Sequence, residues 1–311
     1  MKNLITRSVT GIVFVALMVA GILYNQYTFL LIITVVLAGS LNEFYNITGP
    51  KREVPKSKLG KKGFLMVVFL LAYWVSYLLV APPVRAMPDP SHLFTAAFQI
   101  LLMQRDSALA MNAIIPSVMV LLFMVELFNK NEKPFENIGW NLVAVCYLLI
   151  PMVLTNKIYA EKGGLFLVAI FGIIWLYDSA CYAFGSVLGR TPLLQRISPK
   201  KTVEGLAGGA LFTLAAAYFV PVRIPGLEVL GPIEWVILTA VIIIGATFGD
   251  LVESLLKRSL DIKDSGSIMP GHGGFLDRFD AYFLAVPFIA FMLWAFAQAA
   301  NLITLIEFIS K

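Results

Sequence analysis

Apolar stretches long enough to cross a lipid bilayer recur along the whole of this chain. The hydrocarbon core of a bilayer is about 30 Å thick, so a spanning helix needs roughly 20 mostly apolar residues. The sequence therefore predicts an all-α, polytopic integral membrane protein with about nine transmembrane helices. We place the spans near residues 8–24, 27–45, 63–81, 109–128, 139–156, 164–184, 205–222, 233–256 and 281–309.

The composition excludes an ordinary soluble globule. Hydrophobic residues make up 59% of the chain and charged residues only 14%, whereas soluble domains carry about 25% charged residues. The segment 93–103 is apolar but too short to cross a bilayer unaided, and we interpret it as interfacial or re-entrant.

The basic residues predict the orientation of the chain, because short loops rich in Lys and Arg stay in the cytoplasm. With a cytoplasmic amino terminus and nine spans, the basic loop 51–62 and the loops 185–204 and 257–280 all face the cytoplasm. The net charge of +5 then reflects topology and attraction to anionic lipid, and we expect no nucleic-acid partner. The basic residues of the first of these loops are Lys51, Arg52, Lys56, Lys58, Lys61 and Lys62.

Polar residues that loop position does not explain gather after about residue 175. We therefore divide the chain into an amino-terminal transmembrane region, residues 1–137, and a carboxy-terminal transmembrane catalytic region, residues 138–311.

The first polar group is WLYDSACYAFGSVLGR, residues 175–190. Asp178, Tyr182, Gly185 and Gly189 recur at helical spacing, so one helix face carries a carboxylate, a phenol and two small residues. An aspartate at membrane depth costs several kcal/mol and rarely persists without a partner or a task. Either a functional role or a structural pairing with a basic residue accounts for Asp178.

The second polar group is RTPLLQRISPKKTVEG, residues 190–205. Ser198, Pro199 and Thr202 predict a tight turn into the next helix, whose free backbone N–H groups are suited to an anion. The adjacent Lys200 and Lys201 favour a phosphate-binding role over an ordinary cytoplasmic loop.

The third polar group is GDLVESLLKRSLDIKDSGSIMPGHGGFLDRFD, residues 249–280. Asp250, Ser254 and Lys257 share one helix face, and Asp277 and Asp280 share a face at the start of the last span. Three carboxylates from two helices can then converge, and such oxygen ligands suit Mg²⁺. A further residue, His272, fits either a general base or a hydrogen-bond donor to phosphate or the loop backbone.

These groups predict a cytoplasm-facing site with a carboxylate-held metal and several cations for phosphates. The chemistry that fits is phosphoryl or nucleotidyl transfer to a lipid, in which the protein mainly positions reactants and neutralises charge.

Residues 254–280 resemble the signature of phosphatidate cytidylyltransferases, also called CDP-diacylglycerol synthases, over the whole length of that run. The DSACYAFG-x3-GR run at 178–190 and SPKKTVEG at 198–205 follow the same family's order. Cys181 stands where a smaller residue such as alanine is expected.

This resemblance implies transfer of cytidylate from CTP to phosphatidic acid, with Mg²⁺ required and K⁺ often nearby. It also implies a homodimer in the bacterial inner membrane, with the active site facing the cytoplasm. Carried onto this sequence, the family's roles are as follows. The metal ligands would be Asp250 and Asp277, with Asp280 as a third ligand or as a carboxylate behind them; catalysis would also use Ser254 and Lys257; substrates would contact Lys200, Lys201, Thr202, Arg258, His272, Gly273 and Arg278; and Asp178, Tyr182 and Ser198 would support the site.

Three other classes of membrane protein share parts of this pattern. A CTP-dependent polyprenol or phytol kinase is the nearest alternative, and it would release CDP instead of pyrophosphate. An ion-coupled transporter would also place an aspartate in the membrane, but it gives no reason for the HGG loop. A CDP-alcohol phosphotransferase would need a D-G-x-x-A-R motif, whereas Asp264 is followed here by Ser265.

Overall fold

In the part of the chain that the computed structural model describes, the regular secondary structure is helical apart from one short β-hairpin. The all-α prediction is therefore confirmed in outline, and the hairpin is an addition to it. The segment 93–103, predicted to be interfacial or re-entrant, lies outside the described residues. The described residues are 2–49, 55–80, 107–128, 133–266, 268 and 273–309.

The helices follow one another with short connections wherever the connection is described. A π-helical turn, Val145–Leu149, joins the helix Pro134–Ala144 to the helix Ile150–Leu188, and Pro151, which has no backbone N–H, lies just after this irregularity. The elements are α1 (Lys2–Tyr24), α2 (Gln26–Thr48), α3 (Pro55–Val80), α4 (Ser107–Leu127), α5 (Pro134–Ala144), α6 (Ile150–Leu188), β1 (Pro192–Leu194), β2 (Ser198–Thr202), α7 (Val203–Phe219), a 3₁₀ turn (Pro221–Arg223), α8 (Pro232–Ser259) and α9 (Leu276–Ile309).

Six helical segments within the described residues are long and apolar enough to cross a membrane. The chain is thus a multi-pass membrane protein. Every predicted span falls on a helix, and the longest segment contains two of them, with a backbone break at Gly163 (φ 83°, ψ 173°) between them. The count of nine crossings and the orientation stay predictions. The six segments are Gln26–Thr48, Lys62–Val80, Pro134–Leu188, Val203–Arg223, Pro232–Ser259 and Leu276–Leu302; Thr10–Tyr24 and Asn112–Leu127 are shorter apolar helices.

The chain forms two compact units. The first comprises residues 1–25 and 162–311, and the second comprises residues 26–161. All the described residues that the sequence assigns to the site belong to the first unit. The functional division between residues 137 and 138 stays a prediction.

The unit of residues 26–161 is held together by aromatic packing and by buried polar contacts between helices. The ring of Phe29 on α2 stacks on that of Tyr159 on α6, with centroids 3.7 Å apart. The Asn156 side-chain amide donates to the Tyr73 carbonyl (3.1 Å) and to the Ser76 hydroxyl (2.8 Å) on α3. Such interhelical hydrogen bonds satisfy polar groups that the bilayer cannot solvate.

In the unit that contains the site, small residues let α8 and α9 approach closely. A Cβ atom added at Gly245 would lie 2.6 Å from the Ala285 Cα, and one at Gly249 would lie 2.9 Å from the Ala281 Cα. This spacing of glycines, four residues apart on one helix, is typical of close helix packing in membranes. The approach places Asp250, the next residue on α8, beside the start of α9.

Small residues also bring α6 against α7. A Cβ added at Gly205 would lie 2.9 Å from the Cys181 carbonyl oxygen and 2.9 Å from the Gly185 Cα. The prediction that Gly185 and Gly189 allow a close approach fits this geometry, because Thr202 packs against both of them. The end of α6 and the start of α7 are therefore fixed to each other.

The connection from α6 to α7 is an antiparallel hairpin of β1 and β2. The prediction of a tight turn at Ser198–Thr202 is wrong in this respect, because these residues form the second strand. The Val203 amide donates to the Thr191 carbonyl (2.9 Å), and the Glu204 carboxylate accepts from the backbone amides of Arg190 (3.0 Å) and Thr191 (3.0 Å). These bonds tie the hairpin's two ends together, so extended pairing replaces the turn.

Candidate active site

The carboxyl-terminal end of α8, which is predicted to face the cytoplasm, carries four polar side chains within two helical turns. Asp250 and Ser254 lie on one face, where the Ser254 hydroxyl donates to Asp250 Oδ1 (3.3 Å). Glu253 and Lys257 lie one turn apart, and their charged groups form an ion pair. The predicted shared face of Asp250 and Ser254 is confirmed by their hydrogen bond.

Asp277, in the first turn of α9, accepts hydrogen bonds from three directions. Its Oδ1 accepts from the Lys257 ammonium at 2.8 Å. Its Oδ2 accepts from the Ser265 amide (3.1 Å), the Ser265 hydroxyl (2.9 Å) and the Gly274 amide (2.8 Å). Asp277 therefore binds α8 and both ends of the connection between α8 and α9.

Gly273 makes this arrangement possible. Its φ of +82° lies in the left-handed region, which side-chain-bearing residues rarely adopt. A Cβ atom there would also lie 2.6 Å from Asp277 Oδ2. Glycine at position 273 thus allows the left-handed backbone conformation and leaves room for the carboxylate of Asp277.

The hairpin contributes Lys201, whose ammonium forms an ion pair with Asp250 on α8. Both side chains are partly exposed, at 31% and 29%. One of the two lysines predicted for phosphate binding is therefore placed at the carboxylates, while its neighbour Lys200 is exposed.

Three aspartates from three helices lie within electrostatic range of one another. Asp178 on α6 interacts with Asp250 and also with the cations Lys201 and Arg278. Asp280 on α9 interacts with both Asp178 and Asp250. The close approach at Gly249, next to the Asp280 carbonyl, explains why two of these carboxylates are neighbours. Asp178 therefore lies within electrostatic range of two basic residues, and the choice between a functional and a purely structural role for it stays open.

The donor set can be compared with what a magnesium ion requires. Within the described residues, no three His, Cys, Asp or Glu side chains are grouped closely enough to hold a metal ion together. Mg²⁺ does not need one, since it commonly uses one or two carboxylates and takes its remaining ligands from water and substrate phosphates. The oxygen-only donors Asp250, Asp277 and Asp280 fit that chemistry. Their role as ligands stays a prediction.

The remaining predicted residues are exposed or half-buried wherever the structure describes them. The Thr202 hydroxyl caps α7 by accepting from the Gly205 amide at 3.2 Å. Arg258 is exposed, and its guanidinium donates to the Ile262 carbonyl (3.4 Å). Arg278 is exposed, Tyr182 is 81% exposed and Ser198 is half-buried on β2. His272 lies outside the described residues.

Two carboxylates with clear roles were not among the predicted site residues. Glu253 is fully buried against Lys257, and Glu204 closes the base of the hairpin. The spacing of Glu253, four residues before Lys257, is itself a signal for a helix ion pair. By contrast, the binding of Glu204 to backbone amides depends on the hairpin, which the sequence did not predict.

The fold and the site together define a class: a multi-pass membrane protein with a charged, carboxylate-rich site at the ends of its helices. The chain belongs to the cytidylyltransferase family, which it matches over residues 5–296. It is similar to a phosphatidate cytidylyltransferase of Bacillus subtilis (strain 168), with 35% identity over 210 residues that cover 66% of this chain and 76% of the relative.

Two staphylococcal relatives have the same printed name. The phosphatidate cytidylyltransferase of Staphylococcus aureus (strain COL) is 35% identical over 196 residues, covering 61% of this chain and 69% of the relative. That of Staphylococcus saprophyticus is 34% identical over 193 residues, covering 61% and 70%. The family suggested by the three motifs is therefore confirmed.

Proposed function

We propose that this protein is a phosphatidate cytidylyltransferase, which transfers the cytidylyl group of CTP to phosphatidic acid. The products are CDP-diacylglycerol, a precursor in phospholipid biosynthesis, and pyrophosphate. The observation that carries the proposal is the family match over residues 5–296, together with relatives of that name at 35% identity. The charged site on α8, α9 and the hairpin supports it.

In the reaction, a phosphate oxygen of phosphatidic acid attacks the α-phosphorus of CTP. A new phosphorus–oxygen bond forms, and the bond from the α-phosphorus to the bridging oxygen of the β-phosphate breaks, so that pyrophosphate leaves with its electron pair. A phosphate monoester with a second pKa of about 6 is largely ionised at neutral pH. The attacking oxygen then needs no general base, and the protein's tasks are positioning and charge neutralisation.

The cations of the site take the phosphates in this proposal. Lys257 and Arg258, with the Ser254 hydroxyl, contact phosphate oxygens from the α8 side. Lys200 and Lys201 contact the triphosphate or the lipid headgroup from the hairpin side. The proposal rests on the placement of Lys201 at Asp250 and of Lys257 at Asp277. Thr202, His272, Gly273 and Arg278 complete the substrate-binding set, and Asp178, Tyr182 and Ser198 support it.

Asp250 and Asp277, with Asp280, would hold Mg²⁺, and K⁺ would bind nearby. When bound, such a metal stabilises the charge that develops on the phosphate oxygens. The residues' own part is to bring carboxylate oxygens from α8 and α9 to one place, which the close packing at Gly245 and Gly249 supports.

The proposed location is the bacterial inner membrane, with the active site facing the cytoplasm, where CTP is available. The basic loop 51–62 and the loops at 185–204 and 257–280 support this orientation through their Lys and Arg content. We further propose a homodimer, and a catalytic region that comprises residues 138–311.

An end-product assay tests the function. Purified protein in detergent–lipid micelles receives CTP labelled in the cytosine ring, phosphatidic acid and magnesium. The expected result is labelled lipid together with free pyrophosphate, both lost when magnesium is chelated. Release of labelled CDP with a polyprenol acceptor would instead identify a lipid kinase, and CTP left intact with both acceptors would contradict both enzymes.

A further inference from the structure

Glu253 on α8 is a fully buried carboxylate in a segment long and apolar enough to cross a membrane. Its ion-pair partner is the ammonium of Lys257, one helical turn further along, and it also interacts with the carboxyl groups of Asp277 and Asp280. Within the described residues neither carboxylate oxygen of Glu253 accepts a hydrogen bond of regular geometry, so the contact is an ion pair. A buried charge is costly unless it is paired, and Glu253 therefore depends on Lys257.

Lys257 in turn lies between two carboxylates. Its ammonium contacts Glu253 on the buried side and donates to Asp277 Oδ1 at 2.8 Å. The side chain is only 14% exposed. A lysine ammonium has three N–H donors, and one of them makes the hydrogen bond to Asp277.

A lysine without such contacts would rotate freely about the bonds of its long side chain. Contacts with the two carboxylates of Glu253 and Asp277 remove this freedom before any substrate binds. Asp277 is itself fixed by the Ser265 and Gly274 amides. The ammonium of Lys257 is therefore held at a defined point between α8 and α9.

We propose that Glu253 is a positioning residue, which holds the Lys257 ammonium where it meets a phosphate oxygen of the substrate. This proposal rests on the proposed function, because it assigns Lys257 to a phosphate. Glu253 acts only through Lys257 and touches no reacting atom. A purely structural Glu253 would compensate a buried charge without affecting how Lys257 serves the reaction.

A double-mutant cycle separates the two roles. We expect Glu253→Gln and Lys257→Ala each to lower kcat/KM at least ten-fold. The double variant should be no more than about two-fold worse than Lys257→Ala alone, because residues that act as one unit are not additive. If the two losses multiply in the double variant, Glu253 does not act through Lys257 and the proposal is wrong.

Glu253→Asp provides the conservative comparison, since it keeps the carboxylate but shortens the side chain by one methylene and so moves the charge away from Lys257. Its kcat/KM should lie between those of the wild type and Glu253→Gln. Glu161→Gln is the matched control, because Glu161 also forms an ion pair with a lysine four residues away on a helix, Lys157, but is exposed. We expect this control to retain wild-type activity. Wild-type activity in Glu253→Asp and Glu253→Gln together would overturn the proposal.

Chemical labelling of Lys257 gives a readout that does not require turnover. A short pulse of acetic anhydride, followed by mass spectrometry, measures the acetylation rate of Lys257 relative to the exposed Lys133. We expect Lys257 to react at least three-fold faster in Glu253→Asp and in Glu253→Gln than in the wild type. Unchanged rates in both variants would show that Glu253 does not hold the ammonium.

The two assays distinguish failure of this inference from failure of the proposed function. If Lys257 is labelled faster in the Glu253 variants but the wild-type protein itself forms no CDP-diacylglycerol, both the phosphate assignment and the proposed function are wrong. Normal CDP-diacylglycerol formation with unchanged labelling would overturn the positioning role alone. If Glu253→Gln does not fold, Glu253→Asp carries both measurements.

Discussion

Lys201 on the hairpin and Asp250 on α8 form an ion pair that joins two of the three sequence motifs. The remaining motif, residues 175–190, also contributes to this centre, because Asp178 on α6 interacts electrostatically with both residues. Three segments that are separate along the chain thus contribute to one charged centre.

Removal of the hairpin cation tests the importance of this centre. Lys201→Ala should lower kcat/KM at least ten-fold, because the proposed phosphate-binding ammonium is lost and the charge of Asp250 is no longer balanced. Unfolding temperature in detergent should change little, since partly exposed ion pairs contribute at most about 1 kcal/mol. Steady-state kinetics with labelled CTP and differential scanning fluorimetry measure the two effects.

Lys133→Ala is the control for Lys201→Ala, because Lys133 also forms a carboxylate ion pair, with Glu136, on an exposed surface. It should leave both activity and unfolding temperature unchanged. If Lys201→Ala retains full activity at every CTP and phosphatidic acid concentration, the hairpin lysine is only a surface charge.

Asp277→Asn should abolish turnover, with a loss of at least 100-fold in kcat. The substitution removes a proposed metal ligand and places an amide group opposite the Lys257 ammonium. The protein should still be recovered folded from detergent, as judged by size-exclusion chromatography. A variant with near-normal turnover would contradict the metal assignment.

Ser265→Ala separates the two roles of Asp277. It removes one hydrogen bond to Asp277 Oδ2, which typically costs about 1 kcal/mol of stability, and leaves the proposed ligand in place. We expect activity within about three-fold of the wild type and an unchanged magnesium dependence. A loss as large as that of Asp277→Asn would mean that Asp277 works mainly through the loop.

Gly273→Ala should reduce activity at least ten-fold, because an added Cβ would press on the carboxylate of Asp277 at a backbone φ of +82°. Gly226→Ala is a close control: its φ is +92°, and the nearest atom to an added Cβ is Leu165 Cδ2 at 3.1 Å. Both variants should lose about 1 kcal/mol or more from backbone strain. Only Gly273→Ala should lose activity beyond that, as measured by the initial rate at a temperature where both are folded.

Gly249→Ala should destabilise the protein by roughly 1–3 kcal/mol through overpacking between α8 and α9. The added methyl group would lie against the Asp280 carbonyl and the Ala281 Cα. Gly172→Ala is the control, because no atom lies within 4 Å of a Cβ added there. Thermal unfolding in detergent should show a lowered midpoint for Gly249→Ala and an unchanged or raised one for Gly172→Ala.

The helices could be predicted well from sequence because a single physical constraint determines them. Apolar length dictates where a chain can cross hydrocarbon, so the predicted spans all fall on helices. The shared helix face of Asp250 and Ser254, which their hydrogen bond confirms, followed from helical spacing in the same way. Local periodicity was sufficient for both predictions.

The hairpin and the partners of Asp277 could not be predicted in this way. Ser198–Thr202 contains turn-forming residues, and only its pairing with Pro192–Leu194 makes it a strand. The sequence places Asp277 at a helix start but does not say that Ser265 and Gly274 donate to it. Glu253 carried a recognisable spacing to Lys257, yet its burial depends on how the helices pack.

Thr202 packs against Gly185 and Gly189 and caps α7, and it directly follows Lys201 in the chain. These two interactions of Thr202 fix the backbone next to Lys201 before any ligand binds. Less conformational entropy remains to be lost when an anion binds, so more of the electrostatic attraction appears as net affinity. A flexible, glycine-rich segment with the same charge would be expected to bind an anion more weakly.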